Sequence, residues 1–441
     1  MARLSAPGPQ ERRFAAYIEG LAEAAEHVDR HTPLKNYCMG LLLPGERKSV
    51  EPMAARLSPN DVRRMHQSLH HFVADAPWDD DVMLEQIRTE VLPVMQEQGP
   101  VVAWIVDDTG IPKQGKHSAG VARQYCGQLG KPANCQAAVS LSVSTWSASL
   151  PIAWRLYLPE IWCRDSERCK LAGVPDEIVF QTKPEIALEQ IRQAVEEEVP
   201  GGTVLADAAY GNGMEFRTAI TELGLQYAVG IESSTTVWAP GQQPSPVPPR
   251  KPGRGAPPKR LQRDAHHQPI SVKELALGLP ADTWKEVRWR QGIQGMLRSR
   301  FAAVRVRPAH RDYKRTEPHA EEWLLIEWPK SESESEPTKY WLSTLPAETS
   351  LKSLVKIAKH RWIVERDYEE LKQELGFGHY EGRGWRGFHH HATLCIAAYG
   401  FLVAERNRFS PSARAGNVGL PAAQRRPNFR PRGSPNSPRT A

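Results

Sequence analysis

Three short segments carry residues able to work on a phosphate or hold a metal ion. Asp107 and Asp108 follow the apolar run at 101–106, Asp207 follows Thr203-Val204-Leu205-Ala206, and Glu365 stands between Arg361 and Lys372. Carboxylates without His or Cys companions are hard oxygen donors, suited to Mg²⁺ or Mn²⁺ rather than Zn²⁺. If they converge, they can hold two ions about 4 Å apart, one activating a water or 3′-hydroxyl and the other stabilising the leaving oxygen of an in-line displacement at phosphorus. Each segment also has a plain reading. Asp107 or Asp108 can simply open a turn with Gly110, and 360–372 can be a solvated amphipathic helix with ordinary charge pairs. The pattern of strand, Asp and Gly-containing turn occurs twice, which favours the functional reading.

These acids need elements to position them. The run VVAWIV at 101–106 is short, wholly apolar and rich in β-branched residues, as expected of a buried strand that ends at the acids. Ligands commonly bind at the carboxyl ends of such strands. Lys113, Lys116, His117 and Arg123 follow in a Gly-rich loop that can line a phosphate path. Segments 137–145 and 152–158 alternate like sheet strands, 184–199 is an amphipathic helix, and 203–206 is a second apolar strand ending in Asp207. A helix around 214–223 and a strand at 227–231 complete this part. Glu365 lies on a helix with an apolar stripe at Trp362, Tyr368, Leu371 and Leu375, stopped by Gly376.

The surrounding chain divides by composition. Residues 12–98 read as helices, with stripes at Phe14, Tyr17, Ile18, Leu21 and Ala24, at Leu57, Val62, Met65, Leu69 and Phe72, and at Met83, Ile87, Val91 and Met95. They define an N-terminal helical domain, 1–97, that can hold DNA, bind a partner or only pack. Core segments at 98–231 and 338–405 enclose an insertion at 232–337. Its first part is rich in Pro and Gly and carries Arg250, Lys251, Arg254, Lys259, Arg260 and Arg263, which predicts a flexible basic loop. Segment 284–306 reads as a pair of strands, the Ser-Glu repeat at 331–336 as an exposed turn, and 340–345 as a returning strand. His389, His390 and His391 point in different directions on a helix, so packing and polar contacts are expected of them rather than chelation of one ion. The tail, 406–441, is Pro- and Arg-rich and is expected to be disordered.

Composition limits the function classes. The 441 residues suffice for two or three domains, and 40% apolar with 24% charged residues suits a globular chain. No apolar run reaches the roughly 20 residues of a membrane helix, and the N-terminus has no signal-peptide core, so a cytoplasmic protein is expected. The six cysteines include no CxxC pair and read as reduced thiols. Net charge is +6, but six arginines lie beyond Phe409; without them the chain carries 51 basic and 51 acidic residues. Any nucleic-acid surface must therefore come from local clustering.

The blocks VDDTGIPKQGKHSAGVARQYCGQLGKPANCQ, LADAAYG and RWIVERDYEELKQELGFGHYEGRGWRGFHHH resemble the bacterial IS701-type insertion-sequence transposases of the DDE superfamily, relatives of the IS4 group. The resemblance spans about 14–405. It implies an α/β, RNase H-like mixed sheet flanked by helices, with a mainly β insertion before the last glutamate. It also implies a catalytic and metal-binding triad of Asp107, Asp207 and Glu365 with Mg²⁺ or Mn²⁺, Asp108 ranking second at the first position. Arg361, Glu365 and Lys372 fit the spacing of the IS4-group signature, whereas its Tyr is Ala358 here. By the same resemblance Arg361 and Lys372 hold phosphates, with Lys113, Lys116, Arg123 and Arg383 as weaker candidates. The implied activity is cut-and-paste transposition by a nucleoid-associated homodimer acting on double-stranded DNA, at terminal inverted repeats and a target. Two alternatives stay open: a nuclease of the same fold without strand transfer, and a domesticated DNA-binding protein that no longer cuts.

Overall fold

The computed structural model describes residues 8–247, 259–292, 295–329 and 335–409. Five helices come first: α1 (Pro9–Ala22), α2 (His31–Leu42), α3 (Val50–Leu57), α4 (Val62–Ala74) and α5 (Asp80–Gln96). Their starts follow capping chemistry: Asp61 accepts from the Arg64 amide and Asp79 from the Asp81 and Val82 amides. The stripes expected from the sequence are the buried faces, with Ile18, Leu21, Phe72, Ile87 and Met95 nearly inaccessible.

The sheet follows in chain order: β1 (Ala103–Pro112), β2 (Ala122–Cys126), β3 (Lys131–Ser144), β4 (Ser149–Leu156), β5 (Thr203–Ala206), β6 (Tyr227–Ile231), β7 (Thr236–Trp238), β8 (Ile270–Ser271), β9 (Lys285–Gly292), β10 (Gly295–Pro308), β11 (Glu322–Trp328) and β12 (Lys339–Ser343). Between them run α6 (Glu160–Cys163), α7 (Ser166–Leu171), α8 (Lys183–Glu196), α9 (Ala208–Gly211), α10 (Met214–Glu222) and α11 (Val272–Gly278). The chain then closes with α12 (Leu351–His360), α13 (Trp362–Gln373) and α14 (Trp385–Arg408).

β1 pairs antiparallel with β3 and parallel with β5, β5 pairs parallel with β6, and β4 lies beside β3. This mixed sheet with helices packed against it is an RNase H-like arrangement. The strands of the insertion extend the same sheet: β6 continues through β12, β11 and β10 to β7 and β8. A second small core of Val287, Phe301, Leu325, Leu354, Val355 and Ala358 joins β9–β11 to α12.

α14 is buried on nearly all sides, because α2, α4 and α5 pack against it from one side and β4 from another. The three histidines are joints in this packing. His389 accepts from the Leu156 amide, His391 meets the Tyr37 hydroxyl and the Gly376 carbonyl, and His390 reaches the carbonyls of Val73 and Trp78. Burial lowers all three to about 4.

Two sequence expectations change. β1 does not stop at the acids; it continues to Pro112, because β3 is long enough to pair with it from Ala103↔Ser144 to Pro112↔Cys135. On α13 the buried face is Ile363, Val364, Asp367, Tyr368 and Leu371, and Trp362 lies outside it, half-buried beneath an arginine of the insertion. The expected flexible basic loop falls partly on 248–258, the Ser-Glu turn largely on 330–334 and the tail from 410 on, all outside the described residues, whereas 406–408, expected to belong to that disordered tail, form the last turn of α14. Within the described part, Arg263 is tied to Asp312 at 2.5 Å. All six cysteines are free, and among the described residues no helix is long and apolar enough to cross a membrane.

Candidate active site

The parallel partner of β1 ends early, with Ile105↔Leu205 as the last pair. Beyond that point β1 has no parallel partner, and Asp107 and Asp108 occupy the stretch that β5 leaves unpaired. Adjacent residues on a strand face opposite sides, so the two acids part company. Asp107 turns towards α13, and Arg361 Nη1 donates to its Oδ2 at 2.5 Å. Asp108 turns the other way, where it accepts from Lys183 Nζ at 2.6 Å and the Tyr210 hydroxyl at 3.2 Å.

Asp207 leaves β5 one residue after its end and caps the short α9, its Oδ1 accepting from the Ala209 amide at 2.9 Å. That turn lies directly on β6. A Cβ on Gly211 would come within 2.0 Å of the Gly230 carbonyl oxygen, so only glycine lets α9 press down far enough to set Asp207 beside Asp107. Glu365, on the first turn of α13, has an exposed carboxylate whose Oε1 lies 3.9 Å from Arg361 Nη2.

Electrostatics tie the three acids together. Burial pushes the Asp107 carboxyl up to about 6; Arg361 opposes this, while Asp207 and Asp108 add to it. Burial also works against the charge on Arg361, but Asp107, Asp207 and Glu365 together outweigh it and hold the guanidinium above its ordinary range. One guanidinium thus sits in the field of three carboxylates that come from three distant segments. Among the described residues no group of three His, Cys, Asp or Glu side chains could hold a metal ion as arranged, so Arg361 is the cation these acids share.

The remaining cations expected from the sequence separate by environment. Lys372 lies along α13 from Arg361 and donates to the Gly110 carbonyl at 3.0 Å; burial lowers its ammonium from the usual value. Lys113 is turned inward onto the Tyr380 carbonyl at 2.7 Å and is lowered to about 8 by burial. Lys116, Arg123 and Arg383 are exposed; Arg123 lies not in the expected loop but on β2, paired opposite Asn134, and the backbone bond from the Ala119 amide to the Arg383 carbonyl draws the loops of Lys116 and Arg383 together.

Sequence reasoning missed the Lys183 contact to Asp108, although Thr182-x-x-Glu185 is a capping-box signal that places Lys183 at the start of α8. It also missed Asp367, buried on α13 and held by the hydroxyls of Ser149 and Tyr399. Nothing local marks that acid as internal, because it stands among exposed charges in the sequence.

A protein of Microchaete diplosiphon, described as a probable transposase for insertion sequence element IS701, is 33% identical to the chain over 169 residues. That match covers 38% of this chain and 41% of the relative's length. A second comparison covers more than half of the chain: residues 20–296, which include Asp107 and Asp207 and stop before Glu365, match the family described as DDE superfamily endonuclease. On that match, and with a sheet that brings both aspartates to one edge of β1 and β5, the chain belongs to the DDE superfamily endonucleases.

Proposed function

We propose that the protein is a DNA transposase that cleaves and joins the ends of an insertion sequence by metal-dependent phosphoryl transfer. The observation that carries this reading is the guanidinium of Arg361, bonded to Asp107 at 2.5 Å, 3.9 Å from Glu365 and in the field of Asp207. Asp207 also caps α9 and Asp107 is bonded to Arg361, but Glu365 lies largely exposed beside the same guanidinium, which local structure does not require. The donor chemistry suits a divalent ion, since the three side chains offer only carboxylate oxygens, although in this arrangement they do not form a cluster that could hold one. When bound, Mg²⁺ or Mn²⁺ supplies Lewis acidity at the scissile phosphate and lowers the pKa of an attacking hydroxyl.

The chain's own residues do the rest. Asp107, Asp207 and Glu365 would be the ligands. Arg361 keeps the carboxylates from repelling one another and is within reach of an incoming phosphate through its planar fork. Lys372, tethered to Gly110 on the same strand as Asp107, places a second positive charge along the same groove. Lys116 and Arg383 on exposed loops, and Arg123 on β2, extend the path outward. The substrate is double-stranded DNA at terminal inverted repeats and then at a target, engaged by a homodimer.

Glu365→Gln tests this reading. It removes a ligand and leaves the cations, so cleavage of a plasmid carrying the element's ends in Mg²⁺ should be lost while end binding persists. Full cleavage by this variant would falsify the assignment. Pre-cleaved end duplexes separate transposase from nuclease: joining to a target supports transposition, and hydrolysis without joining leaves an endonuclease.

A further inference from the structure

The insertion reaches the start of the helix that carries Glu365. β9 packs on α12 through the small core of Val287, Phe301 and Leu354, and this brings Arg290 across to the start of α13. Its guanidinium carbon lies 3.7 Å from the centre of the Trp362 ring, and that of Arg366, one turn further along α13, lies 5.8 Å from the same ring. The two arginines thus gather on one indole, and Trp362 and Arg366 flank Glu365 in the sequence.

Arg366 lies in the field of the buried Asp367. Among the described residues neither arginine forms an ion pair with a carboxylate, and the Nε of each is buried without a hydrogen-bond partner. Their neighbours are committed: Arg361 is bonded to Asp107, and Lys359 is bonded to Glu327 at 2.5 Å. Like charges draw together at a cost unless an anion joins them. Stacking on an aromatic face leaves the edge donors of a guanidinium in one plane, the geometry that matches two phosphate oxygens.

We infer that Arg290 and Arg366, set by Trp362, form a phosphate clamp that grips the DNA backbone beside the scissile bond and makes the insertion part of the substrate site. The inference rests on the DNA-processing reading above. The clamp takes a phosphodiester, whose paired oxygens match the edge of a guanidinium. Its position next to Glu365 puts the bound phosphate on the strand being processed.

The test uses the full-length protein and a duplex of mixed sequence, with affinity measured by fluorescence anisotropy from about 50 to 200 mM salt. The double variant R290Q/R366Q should bind more weakly and show a slope of log affinity against log salt smaller by about one, the signature of one lost phosphate contact. R290K, which keeps the charge, should retain most of the slope. Thermal melting of every variant runs in parallel. If Arg290 only pins the hairpin of β9 and β10, R290Q lowers the melting temperature and R366Q leaves the slope intact, and the clamp is overturned. Unchanged slopes in variants of a protein that still cleaves DNA overturn the clamp alone. A wild-type protein with no salt-dependent binding to any duplex removes the DNA-processing reading and the clamp with it.

Discussion

Asp107 and Asp367 are both aspartates pushed up to about 6 by burial, yet their surroundings differ in kind. Asp367 has no exposed surface, and two neutral hydroxyls, Ser149 and Tyr399, point at its two oxygens. They close its hydrogen bonding and fasten α13 to β4 and α14. The Asp107 side chain keeps 14% of its surface exposed, and its partner is a cation shared with other acids. The displaced carboxyl is therefore not what marks a site, since burial produces it in both places. The mark is an acid whose partner is shared, charged and at the surface, because such a partner can be exchanged for another cation.

The comparison breaks most sharply on activity. Asp107→Asn should lower Mg²⁺-dependent DNA cleavage by ~10³-fold, corresponding to several kcal/mol of lost transition-state stabilisation, while the protein still melts as a folded chain. Asp367→Asn should do the opposite, lowering the melting temperature while the folded fraction still cleaves. Loss of cleavage in a normally melting Asp367→Asn protein would erase the distinction.

The next effect is on stability against pH. A carboxyl raised from 3.8 to about 6 on folding binds its proton more tightly in the folded state, so its contribution is full below 3.8 and is lost as pH rises through 6. For Asp367 the loss amounts to ~3 kcal/mol, at about 1.36 kcal/mol per tenfold in proton affinity. Urea unfolding at pH 4 and pH 7 in chelator should show this fall in the wild type and a fall smaller by about that amount in Asp367→Asn.

A smaller effect distinguishes the two faces of β1. Lys183→Met leaves Asp108 with only the Tyr210 hydroxyl and should cost ~1–3 kcal/mol in unfolding experiments, with metal-dependent cleavage kept within about tenfold. A variant that melts normally and fails to cleave would move Asp108 from scaffold to site. The smallest effect sets open cations against closed ones. Lys116→Gln should reduce the salt slope of duplex binding by about one. Lys113→Gln, at an ammonium bonded to Tyr380, should leave the slope unchanged.

Much of this was legible along the chain. VVAWIV reads as a buried strand, and its last four residues, Ala103 to Val106, open β1 fully buried, because an all-apolar run must be covered on both faces. The stripes of α1, α4 and α5 are periodic enough to name their buried residues. Glu365, Arg361 and Lys372 announce themselves by helical spacing. The partition of Asp107 from Asp108 was not legible, since it depends on where β5 stops and on Lys183 arriving from α8. Trp362 was read into the apolar stripe of α13, but Ile363 and Val364 take the interior, and the ring serves instead as a seat for Arg290.

Sequence alone determined the local matters: which residues form strands and helices, which faces are apolar, and which acids and cations are available for work at phosphorus. These depend on neighbours a few positions away, and a chain of this composition has few ways to satisfy them. Only the tertiary structure decided which of two adjacent aspartates meets Arg361, that Asp367 is an internal brace, and that an arginine of the insertion reaches α13. Those outcomes depend on strand lengths and on contacts between residues tens to hundreds of positions apart, where no local preference acts and the packing of the whole sheet selects the partner.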